Sequence, residues 1–551
     1  MQQTCRLTGK TFLVPADEIA LCESLHVPVS DIAPEERVRI CMAERNEWKR
    51  YHRTCDKTGS PIISGYPAGS PYTVYRNDIW WGDTWEALDY GKPFDVQKPF
   101  FEQFLDLQKR VPREGTSIFQ CENCDYNSHV RYSRNCYLNS LAANCEDTYY
   151  SYWTVRGKNC FDCAYSNDNT LCYDCVDCNN CYGCIAAQDS TNCNDCFFSY
   201  QLTGCKNCIL CTNLANKTYC IRNNPCTKEE YEQTKRTLLS GSWKQLQDAR
   251  DELQTLRLAC THRSVHMLNC ENVTGDHIYN SRNCVDCFEG STCEDCSFCV
   301  SLGDSKNVNS GYSIGWPGSE LIYFSSMMRG CNDVAFSTYM WFSSNIRYCD
   351  SCQTCKNCFG CVGLRQKQYC ILNKQYSKEE YESLVPKLIE HMTKTGEWGA
   401  FFPLDSFPHA YNESAAQDRM PLTKQDALTM GYRWSDYEED PPDVKKIIDA
   451  AQLPDTIDAV PDDILQWAVR CASTNRPFRI IKQELDFYRG MRLPIPRLHP
   501  TERHLRRMAL RNPVKLWKRS CAKCGKNIQT TYAPERPEAV FCEECYRETV
   551  Y

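Results

Sequence analysis

The most constraining feature of this sequence is a cysteine pattern with a period of twelve residues. From Cys121 to Cys226, every cysteine lies a multiple of three residues from the first. When the chain is written in rows of twelve that begin at Cys121, the fourth position is cysteine in every row but one. A fixed short period indicates stacked repeats, and twelve residues are too few for a helical repeat. The pattern predicts one narrow coil of a β-solenoid per row, with small cysteine side chains inside it.

The pattern occurs twice in the chain. The sequence of Cys205–Lys228 recurs in similar form at Cys355–Lys378. We call each run of twelve-residue rows a ladder; the second ladder extends from Cys270 to Lys378. Its middle rows have lost cysteines and carry bulkier side chains. Both ladders end in a Ser/Thr-x-x-Glu capping box, which predicts that a helix begins there. We expect these helices to cover the open strand edges at the ladder ends.

The two ends of the chain are also copies of each other. Residues 5–80 align without a gap with residues 471–546, which lie 466 positions later. The copies differ where metal chemistry would lie, because Cys55, Thr58, Arg76 and Ile79 stand where the C-terminal copy has four cysteines. The N-terminal copy is therefore expected to have replaced a metal with packing of its Tyr and Trp side chains.

The strongest chemical signal is a pair of Cys-x-x-Cys knuckles separated by 17 residues. The predicted metal ligands are Cys521, Cys524, Cys542 and Cys545. This stretch of about 30 residues resembles the zinc-ribbon modules of small bacterial proteins, and the resemblance implies one structural Zn²⁺ with no coordination position left open for catalysis.

The ladders offer a second candidate metal site. It is a run of five cysteines at three-residue spacing: Cys172, Cys175, Cys178, Cys181 and Cys184. Zinc or iron–sulfur ligation competes here with buried inert thiols and with redox use. Geometry alone does not decide between these alternatives, because stacked coils bring sulfurs within reach of one another in each case.

The segment before the knuckles is basic. Residues 497–526 contain ten Lys or Arg and one acid, which predicts contacts with the phosphates of a nucleic acid. The alternative is a solvated helix face. The candidate residues are Arg503, Arg506, Arg507, Arg511, Lys515, Lys518 and Arg519.

Composition bounds the class of protein. The chain has 551 residues, 41 cysteines and a net charge of −7. It shows neither an apolar leader nor a long apolar stretch, so we expect a cytoplasmic protein without a membrane partner. Free thiols or thiolate–metal sites are then favoured over disulfides.

The predicted fold class is mixed and β-rich: two short-coil β-solenoid ladders with helical caps between two homologous α+β modules. An aromatic helix is expected near Phe100, either as a plain core helix, which is preferred, or as a connecting helix that docks on the first coil, and short helices are expected at 444–453 and 462–470. The predicted units are a zinc-ribbon-like N-terminal module at 1–80, an aromatic linker at 81–117, the first ladder at 118–228, a helical connector at 229–268, the second ladder at 269–378, a helical cap at 379–400, a cysteine-free linker at 401–470 and a basic C-terminal module at 471–551.

The predicted function is a non-catalytic, zinc-binding solenoid scaffold that binds nucleic acid or a ribonucleoprotein through its C-terminal module. The alternatives are a protein–protein interaction scaffold and a multi-metal or thiol redox store. No phosphate-binding loop, nucleophile elbow or His-Glu-x-x-His motif is present, so an enzyme is not predicted. The layout of ladders between Cys-x-x-Thr-Gly modules resembles an uncharacterised cysteine-rich family of small-genome uncultured bacteria, which implies a class but no activity.

Overall fold

A computed structural model describes residues 1–550 of the chain. The architecture is mixed α/β and rich in strands. In both ladders, strands pair in parallel with a strand that is mostly twelve residues further along; in the second ladder the offset is eleven at Met267–Ile278 and fourteen at Ser305–Ser319. Cys196 pairs with Cys208, which pairs in turn with Cys220. The period of the sequence is therefore the period of strand pairing.

The backbone of each row bends at almost every third residue, where φ is positive; we call these left-handed residues corners. His129, Tyr132, Asn135 and Leu138 have φ angles of 55°, 51°, 51° and 51°. A left-handed residue costs roughly 1–2 kcal/mol unless it is Gly, Asn or Asp, which explains the many Asn and Asp at the third position of the rows. These amides also stack from row to row, since Asn123 Nδ2 donates to Asn135 Oδ1 over 3.0 Å.

The residue after each corner points inward. Cys124, Asn127, Val130 and Ser133 are all buried. Four inward positions per row leave a narrow interior that small side chains fill, so cysteine, serine, asparagine and threonine recur there.

The strands of the first ladder are Ile118–Phe119, Ser128–Arg131, Ser140–Ala143, Tyr152–Val155, Ala164–Asn167, Ile185–Gln188, Asn194–Thr203, Lys206–Ile209, Thr212–Ala215, Thr218–Ile221 and Asn224–Pro225. Those of the second are Met267–Leu268, Glu271–Tyr279, Arg282–Ser291, Ser297–Gly303, Ser305–Ile314, Ser319–Arg329, Asn332–Ala335, Thr338–Trp341, Ser344–Arg347, Lys356–Phe359, Gln368–Ile371 and Lys374–Gln375.

Helices follow both ladders, as the capping boxes predict. Thr227 caps Lys228–Leu238 and Ser377 caps Lys378–Lys394, each with a complete capping box. A further helix spans Trp243–Ala259.

The aromatic helix spans Phe100–Arg110, but it contacts the second ladder and not the first. The Phe100 ring lies 5.5 Å from the rings of Tyr348 and Phe359. The Phe100 ring fits closely against Gly360 of the second ladder, because a Cβ atom at this position would lie only 2.8 Å from the ring.

The two modules repeat each other element by element. The N-terminal module has strands Gln2–Thr4, Thr11–Leu13, Tyr51–Thr54, Pro61–Ser64 and Val74–Tyr75, with helices Ala16–Ser24, Pro34–Ala43 and Asn77–Trp81. The C-terminal module has strands Trp467–Arg470, Pro477–Phe478, Trp517–Ser520, Asn527–Thr530 and Ala539–Phe541, with helices Lys482–Met491, Pro500–Met508 and Glu543–Val550.

Few regular elements lie outside the modules and ladders. The strands are Arg113–Glu114, Thr261–Arg263 and Lys446–Asp449, and the helices are Ala415–Arg419 and Lys424–Thr429. The helices expected at 444–453 and 462–470 are wrong in large part, because Lys446–Asp449 and Trp467–Arg470 pair as parallel strands separated by short 3₁₀ turns.

The modules dock crosswise on the ladders. In the N-terminal module, the buried Arg37 guanidinium pairs with Glu18, whose carboxylate accepts a hydrogen bond of 2.9 Å from Tyr323 of the second ladder. In the C-terminal module, the equivalent Arg503 and Glu484 lie against the first ladder. The buried Arg–Glu pair of each module therefore lies against the ladder that is more distant in sequence, although each module also contacts the nearer ladder.

The two ladders lie beside each other and run in opposite directions. Near the start of the first ladder, His129 Nε2 lies 3.4 Å from the Tyr339 hydroxyl in a late row of the second. Later in the first ladder, Asp189 lies close to His277 at the start of the second.

Candidate metal centre

The four predicted cysteine ligands come from two turns that the local sequence builds. Cys521 follows the strand Trp517–Ser520, and Gly525 adopts a φ of 76° so that its N–H reaches Cys521 O over 2.9 Å. Cys542 follows the strand Ala539–Phe541, and Cys545 lies in the first turn of the helix Glu543–Val550.

These turns bring the four thiols together. Their sulfur atoms all lie within 4.8 Å of one another, and Cys524 Sγ lies 3.8 Å from Cys542 Sγ. A tetrahedral zinc site with Zn–S bonds of about 2.3 Å needs sulfurs about 3.8 Å apart. The cluster could therefore hold a metal ion, with all four ligands supplied by the protein.

The backbone around the cluster favours the thiolate form. The Cys542 N–H donates to Cys521 Sγ over 3.3 Å. Burial by itself raises the pKa of Cys521, but the backbone donors of Cys524, Cys542 and Lys523 outweigh it and lower the pKa to about 6. Because a metal binds the thiolate, a lowered pKa makes this residue a better ligand.

The N-terminal copy keeps the turn but lacks the other three thiols. The Arg76 N–H donates to Cys55 Sγ over 3.3 Å, as Cys542 does to Cys521. Buried Trp80 and Trp85 pack nearby with their rings 5.9 Å apart, in keeping with the expected replacement of metal by aromatic packing.

The same turn occurs twice more, at Cys5 and Cys471, where the sequence shows the Cys-x-x-Thr outline but not the N–H donor. The Ala33 N–H donates to Cys5 Sγ and the His499 N–H donates to Cys471 Sγ, both over 3.3 Å. Each module thus holds two turns of this kind, and only that of Cys521 has a full set of thiols. The Cys-x-x-Thr pattern at Cys5 and Cys471 was the available signal, but the donor lies 28 residues away with no cysteine to mark it.

The ladder thiols face backbone oxygens. Cys172 Sγ lies 3.4 Å from Thr170 O and 3.6 Å from Cys181 O, and this pairing recurs through both ladders. A protonated thiol can donate to such an oxygen, whereas a thiolate would be repelled by it. Burial raises the pKa of Cys145 and of Cys331 to about 11, which agrees with protonated thiols at these two positions.

In residues 1–550, no ladder cysteine belongs to a cluster of three or more possible metal-ligand atoms that all lie within 4.8 Å of one another. A metal at Cys172, Cys175, Cys178, Cys181 and Cys184 stays a prediction.

Most of the basic candidates are engaged inside the protein. Arg503 and Arg507 are buried and both pair with Asp162. Arg506 pairs with Asp174, and Arg511 pairs with Asp177 and Glu289. The helix Pro500–Met508 is basic because it docks on acidic corners of the first ladder, so Arg503 and Arg507 have no surface to offer a phosphate.

The remaining basic candidates differ in exposure. Arg519 donates to the carbonyls of Ala533 and Glu538, whereas Lys515 and Lys518 are exposed. A basic surface at this module therefore depends on the two lysines.

The structure also brings together histidine and aspartate side chains that the sequence did not connect. His266, Asp276 and His277 lie together, and His277 also groups with Asp177 and Asp189. Asp177 and Asp189 are in the first ladder, whereas His266, Asp276 and His277 lie near the start of the second, so no spacing rule connects the two sets.

Neither a known family model nor a curated protein matches this chain. Across residues 1–550, no helix combines the length and the apolar character needed to cross a membrane.

Proposed function

We propose that the chain is a non-catalytic scaffold that binds zinc at its C-terminal module and presents two β-solenoids to a protein partner. The cluster of four protein thiols carries the proposal for zinc. A site with four thiolate ligands suits Zn²⁺ and leaves no position for a substrate, which is typical of structural zinc.

The solenoid architecture is supported by the strand register. Parallel partners twelve residues apart recur in both ladders, and left-handed corners recur every third residue. The interior of the ladders is narrow and filled by buried side chains, so function is expected at the outer faces.

An exposed aromatic patch on the second ladder favours a protein partner. The patch consists of Trp316, Pro317, Arg329 and Phe342; Trp316 and Phe342 are 57% and 56% exposed. The four residues adjoin: Arg329 Nε donates to Trp316 O over 2.7 Å, and both Phe342 and Pro317 border Gly330. Aromatic and Arg side chains are enriched at protein interfaces.

A nucleic-acid partner has weaker support. Lys523 and Lys526 pair with Glu548 and Glu544 within their own module, which leaves Lys515 and Lys518 as the exposed basic pair. Two lysines supply a small electrostatic contribution compared with the 6–10 phosphate contacts of a typical DNA-binding protein.

The test compares three forms of the full chain: wild type, Trp316→Ser/Phe342→Ser and Lys515→Glu/Lys518→Glu. Each is immobilised, incubated with cell extract and analysed for bound protein and bound nucleic acid. We expect wild type and the lysine variant to retain the same protein, and the aromatic variant to lose it. Retention of nucleic acid that the lysine variant loses would instead support the ribonucleoprotein hypothesis.

The zinc proposal is tested separately by elemental analysis of wild type and Cys542→Ser. We expect the variant to lose one zinc per chain. An unchanged zinc content would contradict the assignment of the four cysteines.

A further inference from the structure

A cluster of histidine and aspartate side chains joins the two ladders. Asp177 and Asp189 of the first ladder and His277 of the second each offer a ligand atom, and these atoms lie within 4.8 Å of one another. We propose that Asp177, Asp189 and His277 bind a divalent first-row transition-metal ion, at a site separate from the four cysteines.

The two aspartates are held side by side by the twelve-residue register. Both are left-handed corner residues, with φ angles of 51° and 49°, in adjacent rows. Adjacent parallel strands are about 4.8 Å apart, so the backbone holds two negative charges close together. Arg511 Nε donates to Asp177 Oδ2 over 2.8 Å, whereas the Asp189 carboxylate accepts no hydrogen bond within residues 1–550. A cation between the two carboxylates would offset their repulsion.

The histidine is held in place by its neighbours. The Asp276 carboxylate accepts the backbone N–H of His277 over 2.9 Å and the Thr531 hydroxyl over 2.9 Å. The His266 ring stacks on the His277 ring at 4.5 Å with an interplanar angle of 18°. The orientation of His277 is therefore fixed, while its ring nitrogens have no hydrogen bond among the described residues.

The ligand set indicates the class of metal. Imidazole suits Zn, Fe, Cu and Ni, and carboxylates suit Mn as well, so one imidazole with two carboxylates fits a first-row divalent ion better than Mg²⁺ or Ca²⁺. Bonds of about 2.1 Å need ligand atoms about 3.4 Å apart in a tetrahedron, so rotamer adjustments of about an ångström complete the site. Three protein ligands leave positions for water.

The opposite end of the ladder pair shows the same contact without carboxylates. His129, Met327 and Tyr339 occupy the positions that correspond to His277, Asp177 and Asp189 by the ladder repeat. There, the His129 and Tyr339 rings stack at 5.8 Å. The chain thus contains a matched contact in which the same histidine position has protein partners, since His129 Nε2 lies 3.2 Å from Asn46 O and 3.4 Å from the Tyr339 hydroxyl.

The test uses the full chain in a Cys524→Ser/Cys545→Ser background, in which the cysteine site no longer competes for metal. The protein is treated with chelator, loaded with Co²⁺, dialysed and analysed for cobalt content and absorption. We expect one cobalt per chain without the charge-transfer absorption of thiolate ligands. Asp189→Asn/His277→Gln in this background should bind none, and His129→Gln should still bind one.

The proposal is overturned if the cysteine-deficient chain binds no cobalt, or if Asp189→Asn/His277→Gln keeps it. Far-UV circular dichroism and thermal melting check that each variant is folded. If the double substitution fails to fold, the single Asp189→Asn variant decides: we expect its Kd for Co²⁺ to rise about tenfold or more, and an unchanged Kd refutes the site.

Discussion

Replacement of the buried Arg503 by methionine should loosen the docking of the C-terminal module on the first ladder. Arg503 Nη1 lies 2.7 Å from Asp162 and 3.1 Å from Glu484. All three side chains are at most 3% exposed, so the substitution leaves two buried carboxylates with fewer partners.

The expected cost follows from what each carboxylate retains. Asp162 keeps the Arg507 guanidinium, and Glu484 keeps hydrogen bonds of 2.8 Å from both Tyr150 and Tyr488. Breaking a buried pair by removing one partner costs about 3–5 kcal/mol. Because these contacts remain, we expect the lower end, about 3 kcal/mol.

Hydrogen–deuterium exchange measured on peptides from Pro500–Met508 gives the local free energy of opening. A loss of about 3 kcal/mol should speed exchange there by about 100-fold, since 1.4 kcal/mol corresponds to a factor of ten. The matched control is Arg506→Met, whose arginine side chain is 32% exposed and pairs with Asp174. It should cost about 1 kcal/mol or less. Equal exchange in the two variants would refute the reasoning.

Three further outcomes are expected. Burial lowers the pKa of His262 to about 4 and of His409 to about 3, both below the value of about 6.5 expected in the unfolded chain. The unfolded state therefore binds more protons between pH 6.5 and 4. As the pH is lowered through this range, the free energy of unfolding should decrease by about 1.4 kcal/mol per pH unit for each histidine. The His262→Gln variant should show a flatter profile of stability against pH in chemical denaturation, and an unchanged slope would contradict this. At the corner residue Asn135, substitution by Val should cost about 1–2 kcal/mol more than substitution by Gly in the same denaturation assay, because both lose the amide hydrogen bonds but only Val is strained at positive φ; equal effects would argue against corner strain. In the native chain, a maleimide reagent should modify buried Cys178 far more slowly than exposed Cys524 after metal chelation, as mass spectrometry of labelled peptides would show; comparable rates would mean that the ladder opens readily.

Much of the local structure could be predicted because it depends on neighbours in sequence. The capping boxes at Thr227 and Ser377 identified helix starts, and the twelve-residue period matched the strand register. The four cysteines of the C-terminal module were recognisable because close knuckle spacing by itself determines which sulfurs meet.

What could not be predicted depends on contacts between distant segments. The charge of Arg503 suggested a surface, since nothing nearby in sequence shows that Asp162 lies opposite it. The Phe100 helix was expected to contact the ladder that follows it, but the space above Gly360 lies in the other ladder. The His277 group was missed for the same reason.

The crosswise docking of the modules has a consequence for synthesis on the ribosome. Arg37 and Glu18 emerge early, yet their partner Tyr323 lies 286 residues after Arg37. At translation rates of 5–20 residues per second, this interval is roughly 15 to 60 s. During this delay the buried ion pair of the nascent N-terminal module lacks the surface on which it packs. The first ladder waits longer still, because Glu484 follows its partner Tyr150 by 334 residues, so segments made earlier depend on segments made later for their final contacts.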